Sequence, residues 1–402
     1  MSTLAGPSAL LKAELKAEQQ PVWPDAAELE RVTGRLAAGI PLVLPAECET
    51  LRARMARVAS GDAFLLQGGD CAETFRDLSL DGVSRKMDTL FDVADELSES
   101  MFLPVVVVAR LAGQYAKPRS SAVESRDGVT LPSYRGDAVN GLDFTSEART
   151  PDPHRMLQMY ASASATLNAV RSLLAEGAGP HAGRELFVSH EALLLDYEYP
   201  LTRAHADGPY CGSGHLLWAG ERTRQTDGAH IDFLSRISNP VAVKVGPTAT
   251  VEELLDLVER LDPERLPGRL SFIVRMGAER IRDVLPGLVD GVTRAGARVA
   301  WVTDPMHGNT YSAPSGHKTR HFDTVLDEVT GFFEVHRALG THPGGLHLEM
   351  TGEDVTECVG AGVAAGDLPQ RYASACDPRL NRDQSLELGR LVAELAVPVV
   401  PV

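Results

Sequence analysis

The sequence is poor in cysteine and in long apolar runs, the features that would indicate a disulfide-rich, zinc-binding or membrane protein. Its 402 residues include only 5 cysteines, an odd number with no CxxC pair. This argues against a disulfide framework or a zinc ribbon and favours a reducing, cytoplasmic environment. No stretch approaches the roughly 18 consecutive apolar residues of a membrane span. The start, MSTLAGPSALLKAELK, lacks the basic segment and apolar core that a secretory signal would need.

Positive charge is also in short supply. The chain has 39 lysines and arginines against 55 aspartates and glutamates, which gives a formal net charge of −16. A balance this acidic argues against nucleic acid or an anionic membrane surface as a partner. Any anionic small molecule would have to be bound by a local group of cations that acts against the overall field.

The sequence does contain a regular alternation of short apolar runs with helical patterns. The runs are rich in β-branched or large apolar residues and are bounded by Gly, Pro or polar residues, which is typical of buried parallel strands. They cover residues 63–69, 103–110, 185–190, 214–221, 240–246, 270–275, 298–304 and 345–350. Between them, segments such as TVEELLDLVERL have helical spacing, with Thr250 and Glu253 placed for a capping box. Eight strands alternating with helices predict a (β/α)8 TIM barrel, and a doubly wound open sheet is the alternative.

Three segments fall outside this alternation. Residues 1–60 are predicted to form a helical N-terminal extension, and residues 61–402 the catalytic barrel. Within the barrel, long polar loops are expected at 118–150 and 366–385, before a closing helix. Loops of this length in a compact domain usually cover or form a binding site.

Reactive or charged side chains end or follow every predicted strand. They are Cys71, Arg110, His190 with Glu191, Glu221 with Arg222, Lys244, Arg275, Asp304 with His307, and Glu349. The carboxyl ends of the strands carry the active sites of such barrels. Any one of these residues alone is more simply explained as a salt bridge at the rim. The whole set predicts a functional site, because so many charges near a core are costly unless they have a use.

One subset of these residues is cationic and predicts an anion-binding site. Its members are Arg110, Lys117, Arg119, Arg222, Lys244 and Arg275, enough for two phosphates and a carboxylate. The segment KPRSS adds the hydroxyls of Ser120 and Ser121, although it can equally be read as a solvated loop.

A second subset offers sulfur, nitrogen and carboxylate oxygen, which suits a divalent first-row metal ion. It consists of Cys71, His307, Glu349 and Asp377. No closely spaced motif supports this grouping, so simpler alternatives stay open: an apolar filler at Cys71, a structural histidine at His307 and a turn cap at Asp377. A metal beside a cationic cluster would suggest activation of a carbonyl group by a Lewis acid.

Several long strings in these same regions closely resemble type II 3-deoxy-D-arabino-heptulosonate 7-phosphate (DAHP) synthases. They include LLQGGDCAETF, RLAGQYAKPRS, GERTRQTDGAHIDF, NPVAVKVGP, DPMHGNT and ACDPRLN, and the similarity extends from about residue 62 to residue 395. The resemblance implies a transferase that condenses phosphoenolpyruvate with erythrose 4-phosphate and releases phosphate. This is the first step of the shikimate pathway to chorismate and the aromatic amino acids.

The resemblance also implies a role for each site residue. The metal, manganese or cobalt, would be held by Cys71, His307, Glu349 and Asp377. Phosphoenolpyruvate would be bound by Arg110, Lys117, Glu221, Arg222, Lys244 and Arg275, and erythrose 4-phosphate by Lys117, Arg119 and Ser120. Lys117 would donate a proton to the developing alkoxide, so the residues expected at the chemical step are Lys117, Cys71 and His307.

The chain departs from the long members of this family at one point. The segment RSLLAEGAGPHAGRELFVSHEALL passes almost directly from a helix to the third strand, where long members carry an extra helical pair that binds aromatic amino acids. We therefore expect little feedback inhibition and a specialised pathway, of phenazine or antibiotic type. The resemblance further implies a homodimer or homotetramer and allows contact with a chorismate mutase. The alternatives are an amino-DAHP synthase of ansamycin type, a non-catalytic scaffold and, less favoured, a metal-dependent hydrolase.

Overall fold

The computed structural model describes residues 15–176 and 179–396 of the chain. The first 14 residues of the predicted extension, which include most of the start discussed above, lie outside the described residues. So do residues 177–178, beyond the fifth helix, and the last six residues of the predicted barrel.

Eight parallel strands close into a barrel, which confirms the predicted fold class and makes the open doubly wound sheet wrong. The strands are β1 (Phe64–Gly69), β2 (Val105–Arg110), β3 (Phe187–Glu191), β4 (Leu216–Ala219), β5 (Val241–Val245), β6 (Leu270–Val274), β7 (Ala300–Thr303) and β8 (Gly345–Glu349). Each strand pairs with its neighbour in sequence, and β8 pairs with β1 to close the ring. Each predicted apolar run overlaps one of these strands.

Helices precede the barrel and alternate with its strands. They are α1 (Ala26–Ala38), α2 (Pro45–Ser60), α3 (Leu80–Met101), α4 (Ser146–Arg149), α5 (His154–Ala175), α6 (Leu195–Leu201), α7 (Ala229–Arg236), α8 (Val251–Leu261), α9 (Ile281–Arg294), α10 (Phe322–Leu339) and α11 (Arg382–Ala396). The predicted capping box starts α8: the Thr250 hydroxyl accepts from the Glu253 amide, and the Glu253 carboxylate accepts from the Thr250 amide, both at 3.2 Å. Within the described residues, every helix is too short or too polar to cross a membrane.

The long loops have some secondary structure of their own. The loop 118–150 contains an antiparallel hairpin, Val123–Arg126 with Val129–Pro132, followed by α4. A second hairpin, Tyr311–Ser312 with Lys318–Thr319, follows β7. Near the C-terminus, α11 begins at Arg382, within the last residues of the predicted loop 366–385.

Helix α2 closes the N-terminal end of the barrel. Its buried residues Leu51, Met55 and Val58 belong to one apolar cluster with strand side chains such as Leu65 and Val106, separate from the larger core between strands and helices. This packing removes the inner apolar surface of the strands from water at the end opposite the site. The predicted domain boundary near residue 60 falls between α2 and β1 and stays a prediction. The apolar contacts of α2 join it to the barrel.

Replacing Leu51 by Ala should lower the free energy of unfolding by about 2–5 kcal/mol, because the fully buried side chain leaves a cavity at the barrel floor. Thr50→Ala, on the exposed face of the same helix, should change it by no more than about 0.5 kcal/mol. Urea denaturation followed by circular dichroism measures both. Equal stability of the two variants would show that α2 contributes little to the barrel.

Candidate active site

Strand register brings the first site residues to one level at the carboxyl end of the barrel. Gly69 on β1 is the register partner of Arg110 on β2 and of Glu349 on β8. Gly69 has φ +146°, and a Cβ there would lie 2.6 Å from the Arg110 carbonyl oxygen. Only glycine fits this position, so the GG of LLQGGDC allows the three strands to approach closely.

The carboxylate of Glu349 lies at the centre of the site and is completely buried. Its Oε1 is 3.2 Å from Arg110 Nη2, 3.1 Å from Lys117 Nζ and 3.1 Å from His307 Nε2. Its Oε2 accepts from Arg320 Nη2 at 2.8 Å. Burial alone would raise the pKa of Glu349, but His307, Lys117 and Arg320 lower it well below its ordinary value. The carboxylate is therefore ionised at any physiological pH.

A row of buried polar groups inside the barrel fixes Arg110. Its Nη1 donates to His347 Nε2 at 2.7 Å, and His347 Nδ1 donates to Gln67 Oε1 at 2.8 Å. Burial, and then Lys244 and Arg110, lower the pKa of His347 well below its ordinary value, so the ring is neutral and can accept. The guanidinium is thus held by a histidine that no strand-end pattern could identify.

Three of the four predicted metal ligands converge. One donor atom each of Cys71, Glu349 and Asp377 lies within 4.8 Å of the others. The fourth, His307, approaches the same carboxylate through Nε2. Burial, then the hydrogen bond to Cys376 and the charge of Glu349, raise the pKa of the Cys71 thiol well above its ordinary value. Beside two carboxylates, Cys71 would lose its proton only with a cation among these donors. A divalent metal ion would favour the thiolate, so this donor set fits such an ion.

Lys244 and His307 are linked through one carboxylate. Asp304 Oδ2 accepts from His307 Nδ1 at 2.7 Å and forms an ion pair with Lys244 Nζ. Burial raises the pKa of Asp304, but His307 and Lys244 outweigh it and lower that pKa well below its ordinary value. Burial lowers the pKa of Lys244 to about 8, against the attraction of Asp304. A negatively charged ligand would therefore further stabilise the ammonium form of Lys244.

All of the predicted anion-binding cations except Arg119 line one cavity beside this network. Its wall includes Arg110, Lys117, Glu221, Arg222, Lys244, Arg275, His307 and Asp377, together with Gln114, Pro118, Glu191, Trp218 and Gly220. In the described part of the chain, neither Arg222 nor Arg275 forms an ion pair with a carboxylate, and Arg275 Nη2 donates only to the His307 carbonyl at 3.1 Å. These two cations are available to an anionic ligand.

Three further residues predicted to bind substrate differ in their positions: Glu221 lies in the wall of this cavity, whereas Arg119 and Ser120 do not line it. The carboxylate of Glu221 accepts from the Gly246 amide at 2.7 Å and pairs with Arg224, so it ties the β4 and β5 loops together. Arg119 Nη2 pairs with Glu124 Oε1 at 3.0 Å, and Ser120 is exposed. The assignment of these three to particular substrate groups stays a prediction.

The structure adds two residues that the strand-end pattern did not assign. Arg320, directly after the hairpin that follows β7, is fully buried and donates to Glu349, and it does not lie at the end of a barrel strand. Glu191 lies at the end of β3, and the strand-end pattern alone predicts no role for it. Its Oε1 is buried with no hydrogen-bond partner among the described residues, and burial raises its pKa. A Cβ at Gly220 would lie 2.2 Å from that oxygen, so the glycine leaves room for it.

Buried carboxylates hold the loops that carry the site residues. Glu73 accepts from the amides of Ala112, Gly113 and Gln114 at 2.8–3.1 Å, in the loop that leads to Lys117. Glu328 on α10 accepts from the amides of Met276 and Gly277 and from Asn309 Nδ2 at 2.7–2.9 Å. One side chain of α10 thereby joins the loops after β6 and β7.

Comparison with known proteins gives consistent matches. The model of the "Class-II DAHP synthetase family" matches residues 11–182 and 179–393. A protein of Streptomyces coelicolor named "Phospho-2-dehydro-3-deoxyheptonate aldolase" is 54% identical over 430 residues, covering 95% of this chain and 96% of its own. A protein of Mycolicibacterium smegmatis named "Phospho-2-dehydro-3-deoxyheptonate aldolase AroG" is 47% identical over 433 residues, covering 94% of this chain and 92% of its own.

Replacing Glu328 by Ala should lower the free energy of unfolding by about 1–3 kcal/mol, because three buried donors lose their acceptor. Glu328→Gln keeps an acceptor oxygen and serves as the matched control with a smaller loss. Chemical denaturation of both variants measures the difference. Equal losses would show that these hydrogen bonds do not hold the loops.

Wild type and the Glu328→Gln variant should also differ in the pH dependence of stability. Burial, and then the charge of Asp304, raise the pKa of Glu328 from its ordinary value of 4.5 to about 8. Between these values the folded wild type keeps a proton that the unfolded chain has lost, so its stability falls as pH rises. The glutamine side chain of the variant cannot titrate. The stability of wild type relative to Glu328→Gln should therefore decrease from pH 5 to pH 8, and a constant difference would contradict the raised pKa.

Proposed function

Because this chain belongs to the class-II DAHP synthetase family and is a 3-deoxy-7-phosphoheptulonate synthase, we propose a metal-dependent condensation at the site described above. Phosphoenolpyruvate reacts with erythrose 4-phosphate to give DAHP and phosphate. The observation that carries the proposal is a single cavity whose wall combines unpaired arginines with residues of the metal-ligand set. A scaffold protein would have no use for this buried combination, and a hydrolase would not need so many cations.

Cys71, His307, Glu349 and Asp377 would hold the metal ion, with manganese or cobalt the ions we propose. When bound there, a divalent ion polarises the aldehyde of erythrose 4-phosphate as a Lewis acid. Lys318 Nζ, 3.0 Å from Asp377 Oδ1, and Lys117 Nζ, 3.6 Å from its Oδ2, keep this carboxylate facing the cavity.

The cations of the cavity bind and orient phosphoenolpyruvate. Arg222 and Arg275 meet its phosphate, with Lys244 beside them, while Arg110 and Lys117 meet its carboxylate. A phosphate dianion near Lys244 offsets the burial that lowers its pKa, so substrate binding favours the ammonium form. Held in this way, the methylene carbon of phosphoenolpyruvate can approach the aldehyde carbon in a defined orientation.

Lys117 is the proton donor that we propose for the developing alkoxide. Burial lowers its pKa, but negative charge at Cys71, Glu349 and Asp377 outweighs burial and raises the pKa well above its ordinary value. The side chain is therefore an ammonium group at neutral pH, the state that a proton donor needs. Addition of water at C2 of the condensed product then releases phosphate into the cationic pocket.

The same site belongs, in our proposal, to a short form of the enzyme with little feedback inhibition. The alignments with the two relatives run over 430 and 433 positions, more than the 402 residues of the whole chain. Both relatives therefore carry segments inside the matched region that this chain lacks. This supports the loss of the helical pair expected before β3, and with it a role in a specialised pathway.

Other properties of the enzyme are proposed on narrower grounds. All five cysteines are free, and four are buried, which supports a reducing cytoplasmic environment. A homodimer or homotetramer, and contact with a chorismate mutase, stay predictions from family membership.

Chelation of the purified protein should abolish the loss of phosphoenolpyruvate in the presence of erythrose 4-phosphate, and manganese or cobalt should restore it. Cys71→Ser should lower metal affinity at least about 100-fold, because the variant loses its thiolate ligand. The absorption of the cobalt-loaded protein measures binding independently of turnover, since a cobalt–thiolate bond has its own charge-transfer band.

Cys48→Ser is the matched control, because Cys48 is as buried as Cys71 but lies on α2 at the opposite end of the barrel. It should keep both the cobalt band and the activity. Turnover that resists chelation would contradict metal dependence, and a Cys71→Ser protein with normal cobalt absorption would contradict the ligand set. Faster turnover of an aminated aldehyde would favour the amino-DAHP synthase.

Tryptophan, phenylalanine and tyrosine, alone or in pairs, should leave the initial rate unchanged at micromolar concentrations. The expected result follows from the missing helical pair. Inhibition of the relative from Streptomyces coelicolor, assayed side by side, would show that the assay detects feedback control. Inhibition of this enzyme at micromolar concentrations would contradict the proposed absence of feedback control.

A further inference from the structure

The four proposed metal ligands lie on four separate segments of the chain. Cys71 follows β1, His307 follows β7, Glu349 ends β8 and Asp377 lies in the loop before α11. Cys71 and Asp377 are 306 residues apart in sequence, yet the Asp377 amide donates to Cys71 Sγ at 3.1 Å. Carboxylates and a thiolate repel one another, so other side chains must hold these four segments together.

The guanidinium of Arg320 contacts three of these segments. Its Nη2 donates to Oε2 of the ligand Glu349 at 2.8 Å. Its Nε donates at 2.7 Å to the carbonyl of Met306, the residue directly before the histidine ligand. Its Nη1 donates to the carbonyl of Pro378, the residue directly after the aspartate ligand. The planar fork of an arginine can reach acceptors in several fixed directions at once, which a lysine ammonium on a flexible stem does not reproduce.

The position of Arg320 also keeps its charge away from the substrates. The side chain is completely buried, and the described wall of the cavity does not include it. Arg110 and Lys117, in contrast, line that wall and contact Oε1 of Glu349. Arg320 thus engages Oε2 permanently and leaves Oε1, the oxygen 3.1 Å from His307 Nε2, for a metal ion.

A second arginine holds the segment of the fourth ligand. Arg379 Nη1 donates at 2.6 Å to Oδ1 of Asp70, the residue directly before Cys71. Its Nε and Nη2 donate to the two carboxylate oxygens of Glu357 at 3.0 and 2.8 Å. Glu357 also accepts from the Ser374 amide at 2.7 Å, in the loop that carries the aspartate ligand. Arg379 therefore joins the end of β1 to this loop.

We propose that Arg320 and Arg379 are positioning residues of the metal site, which hold the segments of all four ligands together. The inference rests on the ligand set of the proposed function. Neither guanidinium would contact the ion or a substrate, because each is already engaged by carboxylates or backbone carbonyls. Groups that orient metal ligands in this way typically account for about 10–100-fold in metal affinity.

The test is cobalt titration of the metal-free, full-length protein, followed by absorption and by calorimetry without substrate. Arg320→Lys keeps the positive charge but loses the fork, so it should weaken cobalt binding about 10–100-fold. At saturating cobalt the charge-transfer band of the Cys71 thiolate should remain, because that ligand is unchanged. The visible bands that depend on coordination geometry should shift, because the other three ligands are held less firmly.

Arg379→Lys provides a second variant, on a side chain that is 11% exposed, and it decides the case if Arg320→Lys does not fold. It should weaken cobalt binding about tenfold, at the lower end of the range. The smaller effect is expected because Asp70 also pairs with Lys86 at 2.5 Å, which still holds the segment of Cys71.

Arg269→Lys is the matched control. Arg269 is a buried arginine directly before β6, at the opposite end of the barrel, and it too donates to backbone carbonyls, among them those of Leu234 at 2.7 Å and Leu261 at 3.1 Å. This variant should lower the melting temperature but keep the cobalt affinity and bands of the wild type. An equal weakening of cobalt binding in Arg269→Lys would reduce the effect to a general loss of stability and overturn the assignment.

The same titration separates this inference from the function on which it rests. A wild type that binds no cobalt contradicts the proposed ligand set. A wild type that binds cobalt, together with a folded Arg320→Lys or Arg379→Lys protein of unchanged affinity, contradicts the positioning role alone.

Discussion

The buried carboxylate of Glu349 is the group on which the rest of the site depends. Four cationic or titratable side chains converge on its two oxygens, from β2, from the loops after β2 and β7, and from the segment just after a hairpin. The free-energy cost of burying an isolated charge at this depth would be too large for a stable fold. Here the charge has several partners at once, and each partner is in turn committed to a fixed position. The side chains that offset the desolvation of the carboxylate are therefore also the fixed cations of the site.

Rigid loops are the second requirement, because most of the reactive side chains lie just beyond the strands. Buried carboxylates accept several backbone amides each: Glu73 in the loop leading to Lys117, Glu328 in the loops after β6 and β7, and Glu357 in the loop around Asp377. A carboxylate can accept several hydrogen bonds at once, whereas a neutral side chain of that size accepts fewer. The acidic composition thus has a structural use inside the molecule. Against this acidic background, the arginines and lysines of the cavity supply the local attraction for phosphorylated substrates.

Much of the fold could be predicted from sequence because it depends on local pattern. The eight apolar runs alternating with helical segments specified the barrel, and the carboxyl-end rule then selected Cys71, Arg110 and Glu349 as neighbours. The same reasoning could not assign Arg320 or His347. Neither ends a strand: Arg320 reaches Glu349 from the segment just after a hairpin, and His347 reaches Arg110 from inside the barrel. Their roles depend on contacts between residues far apart in the chain, for which periodicity carries no signal.

By itself, the sequence determined the order of strands and helices, the glycines that permit close approach, and the chemical types of side chain available at the strand ends. These follow from steric and hydrophobic preferences that act over a few residues. Only the tertiary structure decided which charges are paired and which are left for a ligand. Arg110 and Arg222 are the same residue type, each at or just after the end of a strand. Arg110 contacts Glu349 and His347, whereas Arg222 has no carboxylate partner in the described chain. Charge compensation is a property of three-dimensional distance and burial, and it exists only once the barrel has closed.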